Sequence, residues 1–166
     1  MATIIMKALK TTLVFLLITT ISCAQSPRKQ ADAKIGDVTV NVDYGAPSVK
    51  GRTIYGELVP YNKVWRAGAN ENTTVAFDKD VKIGDTAVPA GKYGLFIIPK
   101  KDDKWTIILS KKNDAWGSNG YSKSNDLLRI DLKVEMIENQ EQLMFKVVEK
   151  GVKFAWEKAS FVIPVQ

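Results

Sequence analysis

From residue 37 onward, apolar residues fall at every second position over most of this chain, the period of strands with one buried face. Val38, Val40, Val42 and Tyr44 alternate with Thr39, Asn41 and Asp43, and Val75 and Phe77 repeat the pattern within residues 73–78. A turn at Gly84-Asp85 separates Val81-Lys82-Ile83 from Ala87-Val88. Residues 95–98 form a continuous apolar run, predicted to be a central strand, and residues 101–104 turn it into a partner over 105–109. Leu128, Ile130, Leu132, Val134 and Met136 alternate with charged neighbours. A turn is predicted at 138–141, with Leu143, Phe145 and Val147 on the partner strand. Phe154-Ala155-Trp156 and Phe161-Val162-Ile163 supply one or two more strands, and Pro164 suits an edge. No segment sustains the helical period of 3.6. The pattern predicts an all-β fold, an antiparallel β-sandwich or jelly-roll-like arrangement of eight or nine short strands.

The first 22 residues follow a different pattern. Lys7 and Lys10 precede an uncharged run over 11–22, shorter than the roughly 20 apolar residues a membrane-spanning helix needs. A basic start, a short apolar core and small residues at its end describe a signal peptide over 1–22. Ile21-Ser22-Cys23 resembles a bacterial lipobox, with Thr20 where that pattern usually has leucine. On that reading Cys23 is lipidated and anchors the protein to a membrane as a lipoprotein. On the alternative, Ser22-Cys23-Ala24 is a cleavage site before Gln25 and the protein is soluble. Cys23 is the single cysteine, so in an oxidising compartment it has no intramolecular partner, and lipidation is the favoured reading. Residues 23–34 are polar and unpatterned, and read as a flexible tether. One domain is then expected over 35–166.

Charge and composition narrow the function classes. The net charge of +6 comes from cations and anions interspersed along the chain, a solvated surface and not a nucleic-acid footprint. There is no histidine, which excludes a Ser-His-Asp triad and every histidine-containing metal site. No cofactor and no metal are expected, and no residue is assigned as catalytic. The loop carboxylates Glu57, Glu71 and Asp126 are the candidates for an acid and base pair acting on a glycan.

The longest stretch without strand pattern covers residues 45–72, and long structured loops often carry function. Gly68, Asn70 and Asn72 permit the dihedrals that let Arg66 and Glu71 fold back and meet. In one reading that pair, with Asn70, hydrogen-bonds a polar ligand. In the other it is a loop-bracing ion pair while Trp65 plugs the core. Trp116 and Tyr121, with Trp65 and Tyr61, are candidates for an aromatic platform under a sugar ring, whereas Trp105 and Trp156 belong to the core. Arg129 lies opposite the apolar face of its strand, expected in a charge ladder with Asp131 and Lys133. Lys50 and Arg52 flank Gly51 as a candidate anion holder, although no phosphate-loop pattern surrounds them.

Lys50-Gly51-Arg52, Val59-Pro60-Tyr61, the run from Val64-Trp65-Arg66 to Asn70-Glu71, and Val88-Pro89-Ala90-Gly91-Lys92-Tyr93 together resemble the bacterial family catalogued as domain of unknown function 2911. Trp116-Gly117, Asp126-Leu127-Leu128-Arg129 and Trp156-Glu157-Lys158 fit the same resemblance. It implies an exported protein, often a lipoprotein, of Bacteroidetes-type bacteria, and no activity. It also implies that Trp65, Arg66, Asn70, Glu71, Trp116, Asp126 and Arg129 belong to one shared constellation. Residues 26–30 lack the acidic stretch associated with surface export in such bacteria, so the expected location is periplasm-facing. Three functions are carried forward. The first is a non-enzymatic cell-envelope module binding a polar small molecule or an envelope protein. The second is a carbohydrate-binding or carboxylate-dependent glycan-active protein. The third is a structural domain braced by Arg66 and Glu71.

Overall fold

The computed structural model describes residues 25–166. The predicted signal peptide and Cys23 lie outside the described residues. Ten strands account for the alternation: β1 (Arg28–Ile35), β2 (Val38–Gly45), β3 (Thr74–Phe77), β4 (Val81–Ile83), β5 (Thr86–Val88), β6 (Gly91–Ile98), β7 (Lys104–Ser110), β8 (Asp126–Lys133), β9 (Glu135–Val148) and β10 (Gly151–Pro164). Six form one sheet in the order β1-β2-β3-β6-β7-β8, with every neighbouring pair antiparallel. The predicted all-β sandwich is the observed class.

The inner face of this sheet carries Val40, Val42 and Tyr44 from β2, Val75 and Phe77 from β3, Leu95 and Ile97 from β6, and Trp105, Ile107 and Leu109 from β7, all buried. The long β9–β10 hairpin packs across it as the second layer, supplying Leu143, Phe145, Phe154, Trp156 and Phe161. Aromatic edges join the layers: Tyr44 meets Phe145 at 5.1 Å between ring centroids, and Trp65 stacks on Trp156 at 5.6 Å. Each such side chain stabilises by roughly 1.5–3 kcal/mol through burial, with aromatic pairing adding to it. Short segments complete the second layer. Val49 N–H donates to the Glu141 carbonyl and Leu143 N–H to the Pro47 carbonyl, while Lys82 and Gln166 exchange two backbone bonds.

Three expectations need correction. The tether predicted over 23–34 is a strand from Arg28, paired residue for residue with β2 from Arg28↔Gly45 to Ile35↔Val38. It shows no apolar alternation because β1 is an edge strand whose side chains mostly face solvent, and backbone hydrogen bonds hold it. No turn interrupts residues 138–141. They lie within the 14 residues of β9, whose partner is β10 and not β8. The polar run reflects an exposed stretch of that strand, opposite register shifts between Ala155 and Ala159 of β10.

β6 and β7 are buried on both faces. Leu95 and Ile97 point into the sandwich core, while Phe96 and Ile108 lie under a cover formed by residues 111–125. That cover positions the candidate site.

Candidate functional site

The edge of β6 has two partners. Near Gly91–Gly94 it pairs with β3, and farther along Trp65 and Ile97 exchange both backbone bonds at 2.8 Å. Leu95 N–H donates to the Thr73 carbonyl, so residues 66–72 bulge out between adjacent rungs of one ladder. The bulge needs left-handed backbone at Ala67 (φ 54°) and Asn70 (φ 63°). Asn tolerates this, whereas Ala is strained by about 1–2 kcal/mol. Thr73 Oγ1 pins the turn by donating to the Ala67 carbonyl at 3.0 Å, and Trp65 Nε1 donates to the Gly68 carbonyl at 3.0 Å. The loop is set by the residues at its base.

The bulge then captures the 111–125 cover. Glu71 and Trp116 form an antiparallel bridge, Gly117 N–H donates to the Asn70 carbonyl, and Asn72 N–H donates to the Ala115 carbonyl. At its far end the cover is fixed by side chains. Tyr121 rests its ring edge-on against Phe96 at 5.2 Å and donates its hydroxyl to Asp126 Oδ2 at 2.9 Å. Arg129 donates from Nε to the same oxygen at 2.6 Å and from a terminal nitrogen to the Tyr121 hydroxyl at 2.7 Å. The Asp126 and Tyr121 bonds hold the Arg129 guanidinium above its ordinary pKa. Burial raises the Tyr121 hydroxyl, opposed by Arg129.

The predicted constellation is therefore two clusters joined by one loop. Glu71, Asn70 and Trp116 meet at one end, and Tyr121, Asp126 and Arg129 meet at the other. Trp65 is buried in the core beneath the bulge. Arg66 and Glu71 do not pair. The Glu71 carboxylate lies 3.9 Å from Arg28 instead, and Arg66 makes no ion pair among the described residues. Tyr121 is not part of an exposed platform, because its ring is committed to Phe96 and its hydroxyl to Asp126 and Arg129. Trp116 alone among the tryptophans is exposed, at 62%. Arg129 does not join the expected ladder: Asp131 accepts instead from Thr106 Oγ1 at 2.5 Å and faces Lys100. Of the three loop carboxylates, Asp126 is engaged by Tyr121 and Arg129, and Glu71 lies beside Arg28.

Beside Trp116 lies a pocket of about 210 Å³ lined by Arg28, Glu71, Asn72, Thr74, Lys92, Asn113 and Asp114. Sequence reasoning gave no role in a site to Asn72, Thr74, Lys92 or Arg28. Arg28 is held by Asp43 Oδ1 at 2.6 Å and by the carbonyls of Asp43, Glu71 and Asn72, so it ties the start of β1 to the bulge. Asn72 Oδ1 and Thr74 Oγ1 are buried without a hydrogen-bond partner among the described residues. A larger pocket, about 350 Å³, lies at the opposite end of β6 and includes Tyr55, Lys100, Asp102, Trp105 and Glu157. None of its lining side chains carries an orphaned buried polar atom. Among the described residues no group of His, Cys, Asp or Glu is placed to hold a metal, and no helix is long and apolar enough to cross a membrane.

No curated protein and no solved structure matches the chain. A family model described as a protein of unknown function, DUF2911, matches residues 26–165, and the chain belongs to that family.

Proposed function

We propose that this protein is a non-enzymatic binding module of the cell envelope whose polar ligand lies against Trp116. The observation that carries this reading is an exposed indole at the rim of a pocket with hydroxyl, amide, ammonium and carboxylate groups within it. Large apolar rings are normally buried. Here backbone bonds between Asn70 and Gly117 and between Asn72 and Ala115 hold one outside. Mixed polar partners around a single ring suit a neutral, hydroxyl-rich or zwitterionic molecule, since cations and carboxylates line the same small space.

A glycan is the second reading, favoured by the flat exposed face of Trp116. The hydrolytic version loses support, because Asp126 is engaged in the Tyr121–Arg129 cluster. The brace version loses its ion pair, as Arg66 and Glu71 do not meet. Export through the signal at 1–22, lipidation of Cys23 and a periplasm-facing position complete the proposal, with the membrane and an envelope protein as partners. Mass spectrometry of the mature N-terminus tests the anchor: pyroglutamate at residue 25 would overturn it.

The binding reading is tested by a glycan array and a small-metabolite panel, run on wild type and Trp116→Ala. Binding by wild type that Trp116→Ala abolishes, with stability unchanged, supports the site. Binding that survives Trp116→Ala, or no binder in either set, overturns it.

A further inference from the structure

The chain has four arginines, and two of them are ion-paired: Arg28 with Asp43 and Arg129 with Asp126. The other two, Arg52 and Arg66, have no carboxylate within 4.0 Å among the described residues, and both line the same pocket. That pocket, about 200 Å³, shares no lining residue with the Trp116 site. No acidic residue lines it. Trp65, Trp156, Leu58 and Val59 form an apolar wall.

Two buried donors here lack an acceptor. Arg66 is half-buried, with Nε fully buried and no hydrogen-bond partner. Trp156, 1% exposed, also has its indole Nε1 buried and unpartnered. Arg52 spends Nε on the Val49 carbonyl at 3.0 Å and one terminal nitrogen on the Ser48 carbonyl at 2.5 Å, which fixes its head in place. A guanidinium taken out of water without a counter-charge is costly, and an orphaned buried donor carries its own desolvation penalty. Burial lowers the Arg66 pKa from its ordinary value for the same reason. One fixed cation and one cation without a counter-charge beside an aromatic wall match one kind of guest, an anion with an apolar body.

We infer that the pocket between Arg52 and Arg66 binds a small organic carboxylate, its carboxylate group against the guanidiniums and its apolar body against Trp65 and Leu58. A planar carboxylate suits guanidinium because two parallel N–H bonds can form at once. Arg66 also reaches toward the cover, one of its terminal nitrogens lying 3.7 Å from where a Gly117 Cβ would stand.

The test is a titration of the chain from Gln25 onward, which holds all ten strands, with sodium benzoate and with neutral benzamide as the isosteric control. It is followed by the indole N–H signals of a nitrogen-15 correlation spectrum. Benzoate is expected to move the Trp65 and Trp156 signals saturably and leave Trp116 in place, with benzamide at least about tenfold weaker. Arg66→Gln is expected to weaken benzoate about tenfold, the loss of one charge-assisted contact. Arg52→Gln gives a second reading of the same charge dependence, with thermal unfolding checking that loss of its bonds to the Val49 and Ser48 carbonyls leaves the fold intact. Equal shifts from benzoate and benzamide, no saturation, or benzoate binding unchanged in both variants would overturn the inference. Failure of the Trp116 reading shows separately, in the Trp116 signal and the panel result.

Discussion

Tyr121 donates its hydroxyl to Oδ2 of Asp126 at 2.9 Å, and that bond fastens the far end of the 111–125 cover to the first residue of β8. Arg129 closes the triangle by binding both groups. The Asp126 side chain is only 10% exposed, so its removal leaves a cation and a hydroxyl without their acceptor. Asp126→Ala is expected to cost about 1.5–3 kcal/mol, the range for a hydrogen bond to a charged group. Tyr121→Phe keeps the ring on Phe96 and the Arg129–Asp126 contact, and should cost about 1 kcal/mol. Urea unfolding at neutral pH measures both. An Asp126→Ala variant within 0.5 kcal/mol of wild type, on the order of an ordinary surface substitution, would show that the cover is held elsewhere.

Gly45 has an extended role beyond its strand, because the bulge lies directly on it. A Cβ at Gly45 would stand 2.1 Å from the Ala69 carbonyl oxygen, a backbone atom that cannot swing away. Ala69 N–H in turn donates to the Gly45 carbonyl. Gly45→Ala should therefore destabilise by about 1–3 kcal/mol or more, as overpacking does, and should loosen both pockets that flank the bulge. Gly36→Ala is the comparison, since open space surrounds its Cβ and only its turn backbone is strained. Thermal unfolding with hydrogen exchange at Asn72 and Gly117 distinguishes the two.

How much of this was legible depends on where each residue finds its partner. The β6–β7 hairpin was plain in the sequence because its apolar run and its turn are contiguous. β1 was not, since Lys29, Gln30, Asp32 and Lys34 carry no burial signal and the ladder with β2 is made by backbone. For the site, the left-handed position at Asn70 was anticipated from residue type. The partner of Glu71 was not, because Arg28 lies 43 residues away and belonged to a segment read as tether. Likewise Arg52 reads in the sequence as an anion holder with Lys50, its neighbour across Gly51. Only the fold brings it into the same pocket as Arg66.

Alkaline pH should weaken the fold through Tyr55. Burial, then Glu157 and Tyr61, raise its hydroxyl well above the ordinary value of 10.0. Above that pH the unfolded chain releases this proton while the folded chain keeps it. The native state then binds more protons, so stability falls as pH rises. Below about pH 10 the group contributes its full stability and no slope. Tyr44, raised by burial, acts in the same direction. The urea midpoint is expected to drop as pH rises above about 10, and Tyr55→Phe should shrink that drop while losing one bond to the Trp156 carbonyl. An unchanged slope in Tyr55→Phe would assign the alkaline loss to other groups.

Removing residues 25–34 tests whether β1 belongs to the domain. The strand buries little side chain, so a purely hydrophobic view predicts a small effect from its loss. The backbone says otherwise: the ladder runs over all eight residues, and its removal leaves β2 as a bare edge open to pairing with other chains. Arg28 adds a second contribution, since its bonds to Asp43, Glu71 and Asn72 tie the sheet edge to the bulge. Arg28→Ala alone should cost about 1–3 kcal/mol, because it leaves the partly buried Asp43 without its cation. The deletion should cost more than Arg28→Ala and should raise the tendency to self-associate, seen by light scattering and urea unfolding together. If the two variants lose equal stability and neither self-associates more than wild type, Arg28 is the whole contribution and the rest of β1 acts as the tether its composition suggests.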